Sequence, residues 1–350
     1  MPSSTALVPN HLEAATDQPT PVIAARNKVV LRQLDRNLTV SPQLHVDKLG
    51  LELVNHPNSS FVSNLISALR YGARIGYLGP HKAWVSCNLI PASQHPDVVS
   101  GNLNKEVQLG RIAGPFPSSL LPNLQCHPIG IVPKKHSVEW CTIYHLSYPE
   151  GDSINDHHIP KDPYSLQYVC VDDAITILRS LGPGSFMAKT DLKSAFRLMP
   201  IHPKDWNLLG IYWQSQCYID LYHPFGLRSA PFLFNQISNA LEWILKHNYG
   251  LRHVIHSLDD FVIVEHTKID CLGRFTTLLK VFMSLRVPTV ASKTMEPSQV
   301  LEFMGIVLDS NRMEACLPED KLARIQQLLA SFTNCCSARL VDLQSLISTL

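Results

Sequence analysis

The sequence lacks several features that would place a protein in a class at once. Its 350 residues contain no run of about 18 consecutive apolar residues, so no membrane span and no membrane partner are predicted. The first ten residues, MPSSTALVPN, lack the basic-then-apolar order of a secretory signal. The 30 Lys and Arg residues are balanced by 29 Asp and Glu residues, whereas many nucleic-acid-binding proteins have a basic excess. We therefore expect an intracellular protein, cytoplasmic or nuclear, whose basic residues would have to be concentrated locally to bind nucleic acid.

Cysteine and histidine are plentiful but are not spaced as metal ligands. The nine cysteines are scattered, none in the C-x-x-C pairs of a zinc site, and only Cys335 and Cys336 lie close together. Among the 16 histidines, neither His157-His158 nor Cys126-His127 has ligand spacing along a helix. The pattern predicts reduced thiols and histidines scattered over the surface and loops.

The composition and the apolar spacing predict a globular chain with a polar leader. Hydrophobic residues make up 45% of the chain and charged residues 17%, which is ordinary for a protein with a sizeable core. Residues 1–45 are polar, contain several prolines and show no sustained period, so they are predicted to be a flexible leader. Residues 46–112 are predicted to form a helical N-terminal extension, because FVSNLISALRYGARIG and HPDVVSGNLNKEVQLGRI carry apolar residues at helical spacing.

From there on, strand and helix patterns alternate. Strands are predicted in IGIVPKK and WCTIYHLS as a pair, in LGIYWQSQCYIDLYHPFGL as a hairpin, and as two more in VLEFMGIVLDSNRMEACLP. Helices are predicted in VDDAITILRSLGPG, SAPFLFNQISNALEWILKH, EDKLARIQQLLASF and VDLQSLISTL. Strands interrupted by helices, with hairpins among them, predict an α+β fold whose sheet has helices on one face.

Two adjacent acids stand inside an apolar run, VIHSLDDFVIV, which spans residues 254–264. Carboxylates side by side repel each other and cost free energy to desolvate, so Asp259 and Asp260 need an explanation. Asp191 ends an earlier apolar run, and two hydrophobic strands with acids at the same level would bring three carboxylates together. Divalent cations relieve such repulsion, and Mg²⁺ suits carboxylate oxygens while it keeps positions for water and phosphate. Two ions about 3.5–4 Å apart would support phosphoryl or nucleotidyl transfer.

A plainer interpretation of the acids is open at this point. Asp259 and Asp260 could cap a hairpin turn at the surface of the protein. The other acid pair, Asp172-Asp173, begins a predicted helix, where acids interact favourably with the helix dipole and need no catalytic role.

The wider motifs resemble those of reverse transcriptases. KTDLKSAF, PFGLRSAPFLFNQ, LDDFVIV and LEFMGIVLD occur in the order and spacing of successive palm motifs in that family, and the similarity runs from about Asp47 to Leu350. PNLQCHPIGIVPKKH, YHLSYPEGDSIND and HPKDWNLLGIYW are most similar to DIRS-like retroelements, which encode a tyrosine recombinase. The resemblance implies a right-hand fold with fingers in 113–186, palm in 187–310 with a fingers insertion near 201–222, and a truncated start of a thumb in 311–350. The reverse transcriptase domain itself would span about 113–310.

The resemblance also implies a role for individual residues. Asp191 and Asp259 would bind two Mg²⁺ ions, with Mn²⁺ as a possible substitute. Asp260 would be the accompanying carboxylate, and the backbone carbonyl of Leu192 would complete the nucleotide-side site. Phe196 occupies the steric-gate position, where an aromatic ring leaves no room for a 2′-hydroxyl. The remaining roles are nucleotide binding by Phe225, Gly226, Lys134 and Lys135, proton donation to leaving pyrophosphate by Lys293, and template or primer contact at Arg228 and Ser257.

Several positions depart from the family pattern. Trp140-Cys141 replaces a Trp-Arg pair whose arginine holds the triphosphate, and cysteine cannot make that bidentate contact. Glu139 replaces a lysine, Ser257 replaces a tyrosine that packs against the primer end, and His223 stands where leucine is usual. These changes predict a partly degenerate copy that keeps its metal ligands while its nucleotide contacts are weakened.

The predicted function is that of an RNA-directed DNA polymerase. It would add deoxynucleotides from deoxynucleoside triphosphates to a primer on an RNA or DNA template, and the sequence indicates no particular oligomeric state. One alternative is a catalytically inactive relic that folds and binds nucleic acid. A metal-dependent nuclease on the same carboxylates is another, and it would cut a strand without deoxynucleotides. Phe196 speaks against a template-directed RNA polymerase.

Overall fold

The computed structural model describes residues 43–116, 123–133, 140–156, 158–166, 168–333 and 339–347. The predicted leader lies outside these ranges apart from its last three residues. Lys134, Lys135 and Glu139 lie outside them as well, so the roles predicted for these three residues stay predictions.

Helices and strands alternate along the described chain, as the sequence predicts for an α+β fold. The helices are α1 (Val46–Glu52), α2 (Ser59–Tyr71), α3 (Ile90–Gln94), α4 (Pro96–Gln108), α5 (Val171–Leu181), α6 (Ala230–His247), α7 (Lys268–Ser284), α8 (Glu319–Thr333) and α9 (Leu340–Ile347). The strands are β1 (Trp84–Val85), β2 (Ile112–Phe116), β3 (Gln125–Cys126), β4 (Ile129–Pro133), β5 (Trp140–Tyr144), β6 (Phe186–Asp191), β7 (Gly210–Trp213), β8 (Gln216–Asp220), β9 (Val254–Ser257), β10 (Asp260–Glu265), β11 (Met295–Ser298), β12 (Val300–Phe303), β13 (Ile306–Asp309) and β14 (Glu314–Cys316). None of the helices in the described ranges is both long enough and apolar enough to cross a membrane.

Helix α6 shows how the sequence pattern becomes a packed element. Proline stands in its first turn, where the missing N–H has no helical partner to lose. Phe234, Ile237, Leu241 and Ile244 recur every three or four residues and are fully buried. The helix therefore buries one apolar stripe against the neighbouring sheet, as its spacing predicts.

That sheet has four strands in the order β11-β6-β10-β9. Strand β10 lies between β6 and β9 and pairs antiparallel with both, so the predicted hairpin around the two acids is formed. The ends of β6, β9 and β10 meet at one edge of this sheet, at Asp191, Ser257 and Asp260.

Both faces of the four-stranded sheet are covered, whereas the sequence predicts helices on one face only. Phe261 and Ile263 belong to the hydrophobic core that contains the buried residues of α6 and α7. Val262 and Val264, which alternate with them, pack in a second core with residues of α5 and of the three-stranded sheet β12-β13-β14. The physical reason lies in the FVIV run, which is apolar at every position and therefore needs cover on both sides.

The strands between β1 and β8, other than β6, form two further sheets. A five-stranded sheet has the order β1-β3-β7-β8-β2, and β4 and β5 form a separate two-stranded ribbon. The predicted pairings are present, since β7 pairs antiparallel with β8 and β4 pairs antiparallel with β5. The C-terminal strands differ from the prediction, because three strands, β12, β13 and β14, form where two are predicted.

We expect Phe261→Ala to destabilise the protein by about 3–5 kcal/mol, because Phe261 is fully buried and its ring packs edge-to-face on Phe282 at 5.1 Å. Chemical denaturation followed by circular dichroism measures the change. Met283→Ala is the matched control, because Met283 is 72% exposed and its loss should change the free energy of unfolding by no more than about 0.5 kcal/mol. A loss below about 1 kcal/mol for Phe261→Ala would contradict this account of the core.

Candidate active site

The hairpin between β9 and β10 carries two of the three predicted carboxylates. Its turn consists of Leu258 and Asp259, and Leu258 has a positive φ of 52°. Two-residue hairpin turns favour positive φ, but usually with glycine or asparagine, so leucine here is strained by about 1–3 kcal/mol. Such a strained backbone at the tip of a buried hairpin persists because the flanking strands fix it. It presents Asp259 at the edge of the sheet.

The third predicted carboxylate lies directly across from this hairpin. Asp191, the last residue of β6, is paired with Asp260 in the antiparallel register. The N–H of Leu192 donates to the carbonyl of Asp259 at 2.8 Å, which continues the contact past the end of the strand. Residues opposite each other in a sheet share a face, so Asp191 and Asp260 lie on the face that α6 and α7 do not cover. The three acids therefore come together where these strands end, and we call this place the carboxylate edge.

Two lysines lie among these acids. The Lys293 Nζ lies 2.7 Å from Asp191 Oδ2, and the Lys189 Nζ lies 3.9 Å from Asp260 Oδ2. The hydrogen bond to Asp191 raises the pKa of Lys293, which keeps its ammonium group protonated. Lys293 was singled out from the sequence, whereas Lys189 was not. Lys189 precedes Asp191 by two residues in a strand, and that alternation is the signal that could have found it.

Burial and neighbouring charge both raise the pKa values of two of these carboxyl groups. Burial raises the pKa of Asp260 to about 6, Lys189 opposes the rise, and the charges of Asp191 and Asp259 add to it. Burial also raises the pKa of Asp259, and the charge of Asp191 adds to that rise. Burial is the larger cause of both shifts, and the charges of the neighbouring carboxylates add to it.

The acids fit a divalent cation by their chemistry. Asp260 Oδ1 is buried and has no hydrogen-bond partner, so one carboxylate oxygen is left for a cation to satisfy. Within the described ranges, no group of three or more His, Cys, Asp and Glu side chains stands as a ready-made metal cage. An open edge of this kind suits Mg²⁺, which is usually held by one or two carboxylates and completes its shell with water and substrate oxygens.

One member of an aromatic pair, Phe196, lies five residues after Asp191. Phe196 lies in a short 3₁₀ turn, Ala195–Leu198, and its ring centroid is 4.9 Å from that of Phe225. Phe225 is half exposed, and Phe196 is partly buried between two hydrophobic cores. Gly226 has a φ of 93°, and a Cβ atom there would lie 2.7 Å from the carbonyl oxygen of Tyr144. Only glycine fits at this position.

Other predicted contact residues have structural partners. The Arg228 Nη1 donates to the carbonyls of Asp156 at 2.7 Å and Ile159 at 2.9 Å, so this guanidinium anchors a loop. Its predicted contact with template phosphate stays a prediction. Cys141 lies in β5 opposite Val132 and is partly exposed, and Ser257 is partly exposed opposite Asp260.

The sequence interpretation missed a buried charged group behind the aromatic pair. Arg197 and Asp220 form an ion pair with 5% and 1% exposure. His223, which was noted only as unusual, is also fully buried, and burial followed by the charge of Arg197 lowers its pKa to about 3. Arginine in the middle of the apolar stretch SAFRLMPI is the signal that could have indicated a buried partner.

Comparison with solved structures identifies the fold. The foamy viral protease-reverse transcriptase in complex with double-stranded DNA matches 87% of this chain and 52% of that chain, with a TM-score of 0.60 and 17% identity. The same viral protein in complex with RNA/DNA hybrid matches 87% of this chain and 40% of that chain, with a TM-score of 0.58 and 17% identity. The fold is therefore that of a viral reverse transcriptase.

Sequence relatives point in the same direction. Protein P of Woodchuck hepatitis B virus (isolate 1) is 31% identical over 98 residues, which are 28% of this chain and 11% of that protein. The retrovirus-related Pol polyprotein from transposon gypsy of Drosophila melanogaster is 24% identical over 151 residues, 43% of this chain and 14% of the polyprotein. No family model matches. The chain is thus similar in sequence to parts of a viral protein and of a retroelement polyprotein, and the matched segments span only 11% and 14% of these two relatives.

We expect Asp260→Asn to stabilise the metal-free protein at pH 8 by about 2 kcal/mol, because the folded-state pKa of Asp260 is raised from 3.8 to about 6. The folded carboxyl keeps its proton between pH 4 and 6 while the unfolded one loses it, so wild-type stability falls as pH rises through this window. The gain from Asp260→Asn should therefore vanish near pH 4. Denaturant titrations in EDTA at both pH values measure it.

Asp220→Asn is the contrasting variant. Burial also raises the pKa of Asp220 to about 6, but this carboxylate is paired with the buried Arg197. Removing the Asp220 carboxylate leaves the buried Arg197 with only the more distant Glu106, whose Oε2 lies 3.8 Å from Arg197 Nε. The substitution should therefore destabilise the protein at pH 8 by about 3–5 kcal/mol. Equal effects of the two substitutions would show that Asp260 is not a crowded, underpaired carboxyl group.

Proposed function

We propose that this chain is an RNA-directed DNA polymerase domain that transfers deoxynucleotides to a primer 3′-hydroxyl. The observation that carries the proposal is the register that sets Asp191 opposite Asp260, with Asp259 in the strained turn beside them. The four-stranded sheet would be the palm, and the five-stranded sheet with the β4-β5 ribbon would belong to the fingers. We also propose the DIRS-like retroelements as the subgroup, on the motifs that surround the acids.

Asp191, Asp259 and Asp260 would hold Mg²⁺, with Mn²⁺ as a possible substitute. At a site with two such ions, the chemistry supplied is activation of the primer hydroxyl and charge stabilisation on the leaving phosphate oxygen. The raised pKa values of Asp259 and Asp260 support the proposal, because a cation would favour the ionised forms. The backbone of Leu192, which bridges to Thr289, is held beside Asp259 and would offer its carbonyl.

Lys293 would hold the proton that the leaving pyrophosphate needs. Its Nζ lies at the carboxylate edge through the 2.7 Å contact with Asp191, and its raised pKa keeps it protonated at neutral pH. A protonated ammonium at this position can both attract a triphosphate and donate to the departing oxygen.

Phe196 and Phe225 would form the floor on which the incoming sugar and base rest. The ring of Phe196 is held by Phe225 on one side and by the buried Phe234 at 5.8 Å on the other. A ring that cannot move aside is what discrimination against a 2′-hydroxyl requires. Deoxynucleoside triphosphates are therefore the proposed substrates.

Template and primer are the proposed macromolecular partners. The foamy viral relatives were solved with double-stranded DNA and with RNA/DNA hybrid, and 87% of this chain matches their fold. The five-stranded sheet and the β4-β5 ribbon would help to hold a bound duplex.

We further propose that the activity of this copy is weakened rather than lost. Cys141 supplies no charge where the family uses arginine, and Ser257 leaves no ring beside the primer end. The carboxylates, by contrast, are all present at the sheet edge. An inactive relic is the second candidate, and the cysteine at position 141 is the observation that favours it.

Asp259→Asn should reduce primer extension by about 10³-fold or more, because a metal-binding carboxylate contributes several kcal/mol to the transition state. The assay extends a labelled DNA primer on an RNA template with deoxynucleotides and Mg²⁺ or Mn²⁺. Asp172→Asn is the matched control, because Asp172 lies exposed in the first turn of α5 and should leave extension unchanged. Undiminished synthesis by Asp259→Asn would remove the proposed site, and shortening of the labelled strand would indicate a nuclease.

Cys141→Arg should lower the KM for deoxynucleoside triphosphates by about tenfold, because charge-assisted hydrogen bonds to phosphate are worth about 1.5–3 kcal/mol. Steady-state primer extension measures the change in KM. Cys316→Arg, at an exposed cysteine in β14, adds the same charge away from the site and should leave KM unchanged. An unaltered KM for Cys141→Arg would show that the lost arginine is not what limits this copy.

A further inference from the structure

Arg197, the residue that follows Phe196, forms a buried ion pair with Asp220, outside the carboxylate site. The Arg197 Nη1 contacts Asp220 Oδ1 and also donates to the carbonyl of Tyr222 at 3.1 Å. The Arg197 Nη2 donates to the hydroxyl oxygen of Tyr144 at 2.9 Å. One guanidinium therefore joins the turn after β6 to the end of β8 and to the end of β5.

Burying this ion pair costs free energy, so its presence calls for a structural reason. Burial alone lowers the pKa of Arg197, but the charge of Asp220, followed by Tyr144 and Glu106, reverses that effect and raises it. Burial raises the pKa of Asp220 in spite of the arginine beside it. Buried ion pairs seldom add stability over apolar residues of the same size, and their best-attested use is to fix one geometry among several.

The geometry that the pair fixes includes both rings of the aromatic pair. Arg197 directly follows Phe196, and Gly226 directly follows Phe225. Tyr144 lies beside both segments. Its hydroxyl oxygen accepts from Arg197, and its carbonyl oxygen lies 2.7 Å from the place where a Cβ atom at position 226 would stand. The two rings lie 4.9 Å apart, so the contacts form a closed loop from Phe196 to Arg197, Tyr144, Gly226 and Phe225.

We propose that Tyr144 and Arg197 are positioning residues that hold Phe196 against Phe225 and thereby set the discrimination between deoxynucleoside and ribonucleoside triphosphates. This inference rests on the proposed polymerase function. Neither side chain needs to touch the nucleotide. Without the hydrogen bond from Arg197 to Tyr144, the turn that carries Phe196 gains freedom, the ring can move aside, and a 2′-hydroxyl is tolerated.

The Tyr144→Phe substitution tests the link with the smallest change, because it removes one hydroxyl oxygen and keeps the ring. Two quantities are measured in the full chain. The first is hydrogen–deuterium exchange in residues 195–199, which should become about fivefold faster on loss of one hydrogen bond. The second is the ratio of kcat/KM for a deoxynucleotide to that for the matching ribonucleotide, which should fall by about fivefold.

Two further variants separate positioning from stability. Tyr249→Phe removes a hydroxyl group that donates to Glu52 Oε1 at 2.9 Å, away from the aromatic pair. It should change neither the exchange rate nor the ratio of kcat/KM values. Arg197→Lys keeps the charge beside Asp220 but loses the planar fork that reaches Asp220, the Tyr222 carbonyl and the Tyr144 hydroxyl together. It should therefore lower discrimination as Tyr144→Phe does. A merely structural role would reduce thermal stability in all three variants and leave the ratio unchanged.

The outcomes distinguish the positioning role of Tyr144 and Arg197 from the proposed polymerase function. Faster exchange together with a reduced ratio in Tyr144→Phe supports the inference. Unchanged exchange, or an unchanged ratio in an active enzyme, overturns it while the polymerase function stands. If the wild-type chain extends no primer, the proposed function fails and the discrimination claim fails with it. Exchange in residues 195–199 then shows only whether the contact itself is present.

Discussion

The antiparallel register between β6 and β10 is the constraint on which the candidate site depends. It sets Asp191 across from Asp260 and leaves Asp259 in the turn beyond. Because side chains alternate across a strand, a slip of one residue would move one of these acids to the opposite face. The register is fixed from both sides, since Phe261 and Ile263 fill one core while Val262 and Val264 fill another. The hydrophobic packing of the sheet is therefore what holds like charges together at its end.

The carboxylate edge and the Arg197–Asp220 pair differ in how their charges are paired. Lys293 and Lys189 lie among the acids, yet burial and the neighbouring carboxylates keep the pKa values of Asp259 and Asp260 raised, and one oxygen of Asp260 has no hydrogen-bond partner. The Arg197–Asp220 pair differs, because every charge there has an opposite charge within the core. The carboxylate edge leaves room for a cation and a substrate. The Arg197–Asp220 pair is buried and paired, and it suits a group that positions other residues.

Much of this could be predicted from the sequence, because local patterns decide it. The spacing of Phe234, Ile237, Leu241 and Ile244 predicts α6, and the apolar runs around Asp259 and Asp260 predict a hairpin. What could not be predicted depends on contacts between distant segments. The partner of Arg197 lies in β8, and its neighbour Tyr144 lies in β5, so no local pattern links them. The second covered face of the sheet was also missed, although the unbroken FVIV run was the signal for it.

Phe196 links the carboxylate edge to the buried contacts of Arg197. This residue lies five positions after Asp191, so the same short segment carries a carboxylate to the sheet edge and an aromatic ring to the adjoining surface. The strand end fixes the carboxylate through backbone pairing. The ring lies beyond that pairing, in a 3₁₀ turn whose few hydrogen bonds hold it weakly. Side-chain contacts must then supply the rigidity that the backbone does not. The buried guanidinium of Arg197 is the group in that turn with enough donors to do so.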